Sequence, residues 1–150
     1  MEGNGFHFPL FVDLNGADVA VIGGGAVAAR RAAVLLRFGA RVRVVAPDLC
    51  PGFPEGVEHI CCRYRQCDLG DAVLAVAATD DREVNRRVGE DARARHIPVS
   101  VADCPEECTF YFPAVCEGKN VAAGVVSRGS DHRATARAAE KIRRVLEELE

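Results

Sequence analysis

The chain has 150 residues, a net charge of −3 at pH 7 and 49% hydrophobic residues. A chain of this length builds one domain, or one domain with a short appendage. Its charge gives no reason to expect nucleic acid, and no apolar run reaches the ~18 residues that a membrane span needs. Since residues 1–5 also carry no signal-peptide pattern, we expect a cytoplasmic protein that binds neither nucleic acid nor membrane.

The first predicted elements are a strand and a helix with a glycine-rich turn between them. Asp18–Ile22 is predicted as a buried strand, because all of its residues after Asp18 are apolar. Val27–Phe38 carries apolar residues at three- and four-residue spacing, which predicts a helix. Gly39 follows the helix at the position where glycine commonly ends one.

The turn has the spacing of a dinucleotide-binding fingerprint. Gly23, Gly25 and Ala28 fill the three positions of G-x-G-x-x-G/A. The first glycine permits a tight turn, the second lets a pyrophosphate approach the backbone, and the alanine lets the helix pack closely. Because the first helical turn attracts anions, we predict dinucleotide binding rather than a glycine turn without a ligand. The expected contacts come from Gly23, Gly24, Gly25, Ala26 and Val27.

The following segments continue the alternation of strands and helices. Further strands are predicted at Arg41–Val45, Val57–Arg65, Ala72–Ala78 and Ile97–Val101, and a helix at Asp81–Arg95. Strands joined by helical crossovers predict a doubly wound parallel sheet of the Rossmann type.

The pattern changes after Asp103. Thr109–Cys116 and Val121–Ser127 are β-rich runs separated by a short turn, which predicts a hairpin. A last helix, Asp131–Leu149, has an apolar stripe that must be buried on its own domain or on a second subunit, and we favour a second subunit. The stripe consists of Ala138, Ile142, Val145, Leu146 and Leu149. We therefore expect a nucleotide-binding domain at 1–112 and a hairpin-and-helix dimerisation region at 113–150.

Polar residues follow the carboxyl ends of the predicted strands, where such sheets bind ligands. After the second strand, Asp48 is placed to accept a ribose hydroxyl, with backbone contact by Pro47 and Asp48 as the alternative. An acidic residue there favours NAD over NADP, because it repels a 2′-phosphate. After the fourth strand, Thr79 and Asp80 contact the cofactor, cap the next helix, or do both.

Asp103 follows the fifth strand and has two open interpretations. A carboxylate beside a dinucleotide crevice can accept a proton. It can also form the turn before Cys104 and Pro105, and from the residues alone this second interpretation is favoured.

The seven cysteines predict neither a disulfide framework nor a metal site. Their number is odd, no secretory signal accompanies them, and no C-x-x-C pair occurs. We expect reduced thiols and no bound metal.

Four segments together resemble the N-terminal module of siroheme synthases, the precorrin-2 dehydrogenase/sirohydrochlorin ferrochelatase family. The segments are F-P-L-F-V-D-L at 8–14, the nucleotide turn at 21–30, A-A-T-D-D at 77–81 with Asn85, and V-A-D at 101–103 followed by Phe110 and F-P-A at 112–114. The last two are more specific than the glycine turn. The resemblance covers the chain from about Phe8 to Arg144.

The resemblance implies an NAD-dependent oxidation of precorrin-2 to sirohydrochlorin by a homodimer in which hairpin and helix exchange contacts. The family's carboxylate falls on Asp103, which would act as general base, so the resemblance favours the functional interpretation of this residue. Ala78 and Asn85 join the expected cofactor contacts. In some members the same site then inserts ferrous iron.

Two departures from the family pattern concern the substrate. The family's S-x-G-G-x-S-P stretch reads S-R-G-S-D-H-R at 127–133, with Ser130 at the second glycine. His132 there is an acid/base or metal-binding group or, as we favour, a solvent-facing helix residue. The chain also stops before the further helical domain of longer members, which weakens the expectation of iron insertion most. The expected substrate contacts are Ser127, Arg128, His132 and Arg133.

The competing hypothesis is a non-catalytic module that holds NAD or a tetrapyrrole as a carrier, sensor or partner subunit. The altered segment at 127–133 favours that hypothesis. The glycine turn and Asp103 favour the enzyme.

Overall fold

The computed structural model describes residues 5–129 and 131–149. Residues 1–4, which begin the segment without a signal-peptide pattern, and Ser130, the departure from the family's second glycine, lie outside the described residues. The described part forms two compact units: one runs from Val12 to Phe110, and the other joins the residues up to Phe11 to those from Tyr111 onward.

The first unit is a five-stranded parallel sheet with helical crossovers, as predicted. Its strands have the spatial order β3-β2-β1-β4-β5, so β1 lies between β2 and β4. The strands are β1 Asp18–Ile22, β2 Arg41–Val45, β3 Glu58–Ile60, β4 Leu74–Ala77 and β5 Val99–Val101, and the helices are α1 Ala26–Arg37 and α2 Arg82–Ala94. Short 3₁₀ turns lie at Gln66–Leu69 and Pro105–Glu107. This arrangement confirms the Rossmann-type doubly wound sheet.

The central strands are apolar because both of their faces are covered. All four residues of β4 are buried, and from Val19 to Ile22 no residue of β1 is more than 1% exposed. Unbroken apolar runs of this kind belong to parallel sheets with helices on both sides. The strand order reverses beside β1, which creates the crevice where such sheets bind ligands.

Three strands of the sheet are shorter than predicted, and among them β4, expected over Ala72–Ala78, spans Leu74–Ala77. β3 was expected over Val57–Arg65, but it stops at Ile60, whose carbonyl accepts the Cys62 N–H in a turn at 2.9 Å. β5 was expected from Ile97, but the Ile97 N–H bonds the carbonyl of Ala92 at 2.9 Å and so closes α2. Local turn and helix-end hydrogen bonds therefore take residues whose side chains suit a strand.

Asp81 caps α2, and the expectation that Thr79 or Asp80 does so is wrong. The Asp81 Oδ1 atom accepts the N–H groups of Glu83 at 2.9 Å and Val84 at 3.3 Å. The Thr79 hydroxyl instead bonds the side chain of Asn85 at 2.7 Å and accepts the N–H of Asp81 at 3.2 Å.

The second unit contains the predicted hairpin and the last helix. Strands β6 Ala114–Glu117 and β7 Ala122–Val125 pair antiparallel, and α3 spans His132–Glu148. Asp131 caps α3 by accepting the Ala134 N–H at 2.9 Å. A small core joins Cys116 of the hairpin to Ala139 and Leu146 of the helix.

The predicted apolar stripe of α3 is only partly correct. Ala139, Ile142 and Leu146 face the hairpin, since spacings of three and four residues place them on one side of the helix. Val145 is 55% exposed, and Leu149, which follows the end of α3, is 73% exposed, so neither is part of the packed face. In the described part of the chain no helix combines the length and the hydropathy that crossing a bilayer demands.

The assignment of the α2 cap predicts a difference between two adjacent aspartates. Replacing Asp81 by Ala removes an N-cap and lowers the free energy of unfolding by about 1 kcal/mol. Replacing the exposed neighbour Asp80 by Ala changes it by less than about 0.5 kcal/mol. Urea unfolding followed by circular dichroism measures both values, and equal losses would contradict the assignment.

Candidate functional site

The glycine turn after β1 touches the loops that follow β2 and β4. A Cβ atom built on Gly23 would lie 2.2 Å from the carbonyl oxygen of Ala78, and one on Gly24 would lie 1.9 Å from that of Asp48. These two glycines are therefore required by backbone packing, and Gly23 also has a φ of +132°. A Cβ on Gly25 would meet nothing within 4 Å. The space above Gly25 is open and fits the close approach of a ligand.

The N-terminus of α1 lies beside this open space. Gly25 is the N-cap residue, and in the described part of the chain no side chain caps the helix and no acidic residue occupies its first turn. The first helical hydrogen bond runs from Ala29 N to Gly25 O, so the N–H groups of Ala26, Val27 and Ala28 have no partner within the helix. Unpaired N–H groups and the helix dipole together favour an anion such as a phosphate.

The loop after β2 is bound to the glycine turn. Cys50 N donates to Gly24 O at 2.7 Å, and the carbonyl of Asp48 packs against Gly24. The Asp48 and Pro47 side chains are exposed. This places an acidic side chain and a free loop surface beside the turn, where a ribose is expected.

Two residues of the β3 region hold the same loop from its other side. The His59 ring Nε2 donates to the carbonyl of Ala46 at 2.8 Å, and the Cys61 thiol donates to the carbonyl of Pro47 at 3.1 Å. Neither was singled out from the sequence. The two lie two residues apart, which places them on the same side of an extended segment, but only the fold shows that this side meets the loop.

Asn85 organises the loop after β4. Its side-chain oxygen accepts both the N–H of Thr79 at 3.0 Å and the Thr79 hydroxyl at 2.7 Å, and its amide donates to the Thr79 carbonyl at 3.0 Å. Asn85 has no exposed surface, while Thr79 is half-buried and Asp80 is exposed. The amide therefore fixes the backbone from inside, and Thr79 and Asp80 form the surface of the loop.

Asp103 lies at the same edge of the sheet, after β5. The neighbouring strand ends are tied together by a hydrogen bond from Ala102 N to Ala77 O at 2.9 Å. Arg82 donates from Nη1 to Asp103 Oδ1 at 2.6 Å and from Nη2 to a carboxylate oxygen of Glu107. The Asp103 side chain is 38% exposed. Arg82 and Glu107 were missed by sequence reasoning, because they lie 21 and 4 residues away.

The positive charge of Arg82 lies between the negative charges of Asp103 and Glu107. Although burial opposes it, the hydrogen bond with Glu107 and the negative charges of Asp103 and Glu107 raise the pKa of Arg82, so its guanidinium stays charged. Burial, a hydrogen bond to Glu106 and the charge of Glu107 raise the pKa of the Cys104 thiol. Cys104 is thereby kept protonated, which makes it a poor nucleophile or metal ligand.

The four expected substrate contacts belong to the second unit. Arg128, His132 and Arg133 are exposed, and Ser127 is half-buried. The Arg128 guanidinium lies 5.5 Å from the centre of the Phe6 ring, a cation–π distance. His132 is the first residue of α3 and faces solvent. The seven cysteines are free thiols, and among residues 5–129 and 131–149 no three potential ligands form a metal-binding group.

Comparison with known proteins gives one family model and several relatives. Residues 10–114 match the family model described as "Putative NAD(P)-binding". The chain is 44% identical over 145 residues to a multifunctional siroheme biosynthesis protein of Ruminiclostridium josui, covering 93% of this chain and 28% of that protein. It is 41% identical over 127 residues to the siroheme synthase of Methylobacillus flagellatus, covering 81% of this chain and 27% of that protein. The chain thus spans about a quarter of these relatives.

A solved structure is similar over nearly the whole chain. The precorrin-2 dehydrogenase SirC superposes with a TM-score of 0.75 at 25% identity, covering 91% of this chain and 69% of that chain.

The contrast between the glycines predicts separable effects. Gly25→Ala places a methyl group in open space, so the free energy of unfolding stays within about 0.5 kcal/mol of the parent value while the dissociation constant for NAD⁺ rises about tenfold. Gly24→Ala forces a methyl group into a backbone carbonyl and lowers stability. Isothermal titration calorimetry and urea unfolding measure the two effects. Unchanged NAD⁺ affinity in Gly25→Ala would contradict the assigned phosphate site.

Proposed function

The chain belongs to the NAD(P)-binding family, and from this premise we propose that it oxidises precorrin-2 to sirohydrochlorin with NAD⁺. The reaction removes two hydrogens from the macrocycle: one leaves as a hydride with its bonding electron pair, the other as a proton. One observation carries the proposal. The ionisable carboxylate of Asp103 and the uncapped N-terminus of α1 lie at the same edge of the sheet, as oxidation by hydride and proton removal requires.

The residues around the glycine turn fit the cofactor. The N–H groups at the start of α1 bind the pyrophosphate, and the open space above Gly25 admits it. Asp48 accepts the ribose hydroxyls, and its negative charge selects NAD⁺ over NADP⁺. Thr79 and Asp80 form the rim on the β4 side, with Asn85 fixing their backbone from inside. Bound NAD⁺ supplies the hydride acceptor.

Asp103 takes the proton. Its Oδ1 atom is held by Arg82, and in the described part of the chain no donor is bonded to its Oδ2 atom. Oδ2 can therefore accept a proton from the macrocycle. A carboxylate that is 38% exposed can then pass this proton to solvent and return to its ionised form.

The second unit supplies substrate contacts and the dimer interface in this proposal. Precorrin-2 carries several carboxylates, and exposed arginines such as Arg128 and Arg133 are suited to bind them. Three apolar side chains are exposed in this unit, which supports contact with a second subunit: Val145 on α3, Leu149 directly after it and Val121 in the turn of the hairpin. Ser127 and His132 lie in the same segment as these arginines. Adding Fe²⁺ to the product in the same assay tests the chelatase activity.

Replacing Asp103 tests the role of the base. Asp103→Asn keeps the shape and removes the proton acceptor, so kcat falls at least ~100-fold, the scale of general-base catalysis. NAD⁺ affinity stays within about twofold, because Asp103 does not contact the pyrophosphate site. The measurement is anaerobic NADH formation from precorrin-2, with Glu106→Gln as the matched carboxylate control. Retained turnover in Asp103→Asn would exclude Asp103 as the base.

Replacing Asp48 tests cofactor selectivity. Asp48→Asn removes the charge that repels a 2′-phosphate, so the ratio of kcat/KM for NAD⁺ to that for NADP⁺ falls about tenfold, or ~1.4 kcal/mol of discrimination. Asp71→Asn, which replaces an exposed aspartate before β4, outside the proposed cofactor contacts, leaves the ratio unchanged. A parent chain that prefers NADP⁺ would reverse the proposed selectivity.

A further inference from the structure

We infer that Arg82 is a positioning residue that holds one oxygen of the Asp103 carboxylate and leaves the other free to take the proton. The inference rests on the proposed function and deepens it. It concerns the cluster formed by Arg82, Asp103 and Glu107.

The base of the Arg82 side chain is fixed. Arg82 is the first residue of α2, and the preceding Asp81 binds the N–H groups of Glu83 and Val84. The helix therefore begins at a defined place relative to β4. The guanidinium contacts two residues that are distant in sequence: Asp103, 21 residues further along the chain, and Glu107, 25 residues further along.

Glu107 provides a fixed second anchor. Arg93 of α2 donates to the Glu107 carbonyl oxygen at 2.6 Å. The next residue, Cys108, is held by Val101, whose N–H donates to the Cys108 sulfur at 3.1 Å while the thiol donates to the Val101 carbonyl at 3.4 Å. The segment after β5 is thus bound to the strand, and Glu107 orients the guanidinium that meets Asp103.

Asp103 itself lies in an exposed turn and depends on this contact for its orientation. Arg82 Nη1 occupies Oδ1, and no donor among the described residues occupies Oδ2. Arg82 from α2 contacts Asp103, and its guanidinium also pairs with Glu107 from the segment after β5. Because Glu107 holds the Arg82 guanidinium in place, the guanidinium restricts the rotation of the Asp103 carboxylate. Catalytic groups held in one orientation react faster than mobile ones.

Stability does not account for the cluster. The Arg82 side chain is 44% exposed and that of Asp103 is 38% exposed, and exposed ion pairs contribute little to folding. Removing Arg82 is therefore expected to leave the fold intact and to act on turnover.

The test compares Arg82→Ala and Arg82→Lys with a matched control. Arg86→Ala removes an equally exposed arginine of α2 whose partners are Glu83 and Glu90. Arg82→Ala lowers kcat 10- to 100-fold while the KM values for precorrin-2 and NAD⁺ stay within twofold, Arg82→Lys recovers part of the loss, and Arg86→Ala matches the parent. An unchanged kcat in Arg82→Ala would overturn the inference. A raised KM for precorrin-2 with unchanged kcat would also overturn it, because Arg82 would then bind a substrate carboxylate.

Formate gives a second, independent readout. In Asp103→Ala, added formate fills the vacated position and restores turnover at least tenfold, because Arg82 still binds a carboxylate. In Arg82→Ala/Asp103→Ala the same formate concentration restores nothing. Equal rescue in both variants would overturn the inference even if the single variant were poorly folded. A parent chain that forms no NADH from precorrin-2 refutes the proposed function, whereas an active parent matched by Arg82→Ala refutes the inference alone.

Discussion

The close packing of the turn after β1 between two neighbouring backbones is the constraint on which the site depends. Gly23 lies against the carbonyl of Ala78 and Gly24 against that of Asp48, at distances that leave no room for a side chain. The loops after β4 and β2 are thereby brought to the start of α1. Packing accounts for the first two glycines of the run, and the third, Gly25, borders open space. The proposed ligand site is thus the part of the turn that packing leaves open.

The sheet and most helix positions follow from the sequence, because burial on both faces selects unbroken apolar runs. β1 and β2 have the bounds that the sequence predicts. The errors have local causes. Asn85 binds Thr79 through three hydrogen bonds and leaves the α2 cap to Asp81. On α3, the hairpin packs against Ala139 rather than Val145. The helix carries apolar residues at helical spacing on more than one side, so the sequence alone does not identify the side that is buried.

The candidate site was predictable to the extent that it follows strand ends. Gly25, Asp48, Thr79 and Asp103 each come directly after a strand or close to its end, and parallel strands bring those ends to one edge. The groups that orient them were not predictable. His59 and Cys61 hold the β2 loop, and Arg82 holds Asp103, through contacts between residues 13 to 21 positions apart. Such contacts are set by packing, which leaves no periodic signal in the sequence.

The central claim is that the chain performs chemistry at this edge and does more than bind a nucleotide. The most direct measurement is an anaerobic reaction of the purified chain with NAD⁺ and precorrin-2 generated in place, with sirohydrochlorin and NADH followed by absorbance. The account predicts that the two products form in a one-to-one ratio and that neither forms without NAD⁺. Tight binding of NAD⁺ with neither product formed would contradict it, and would identify the chain as a carrier, sensor or partner subunit.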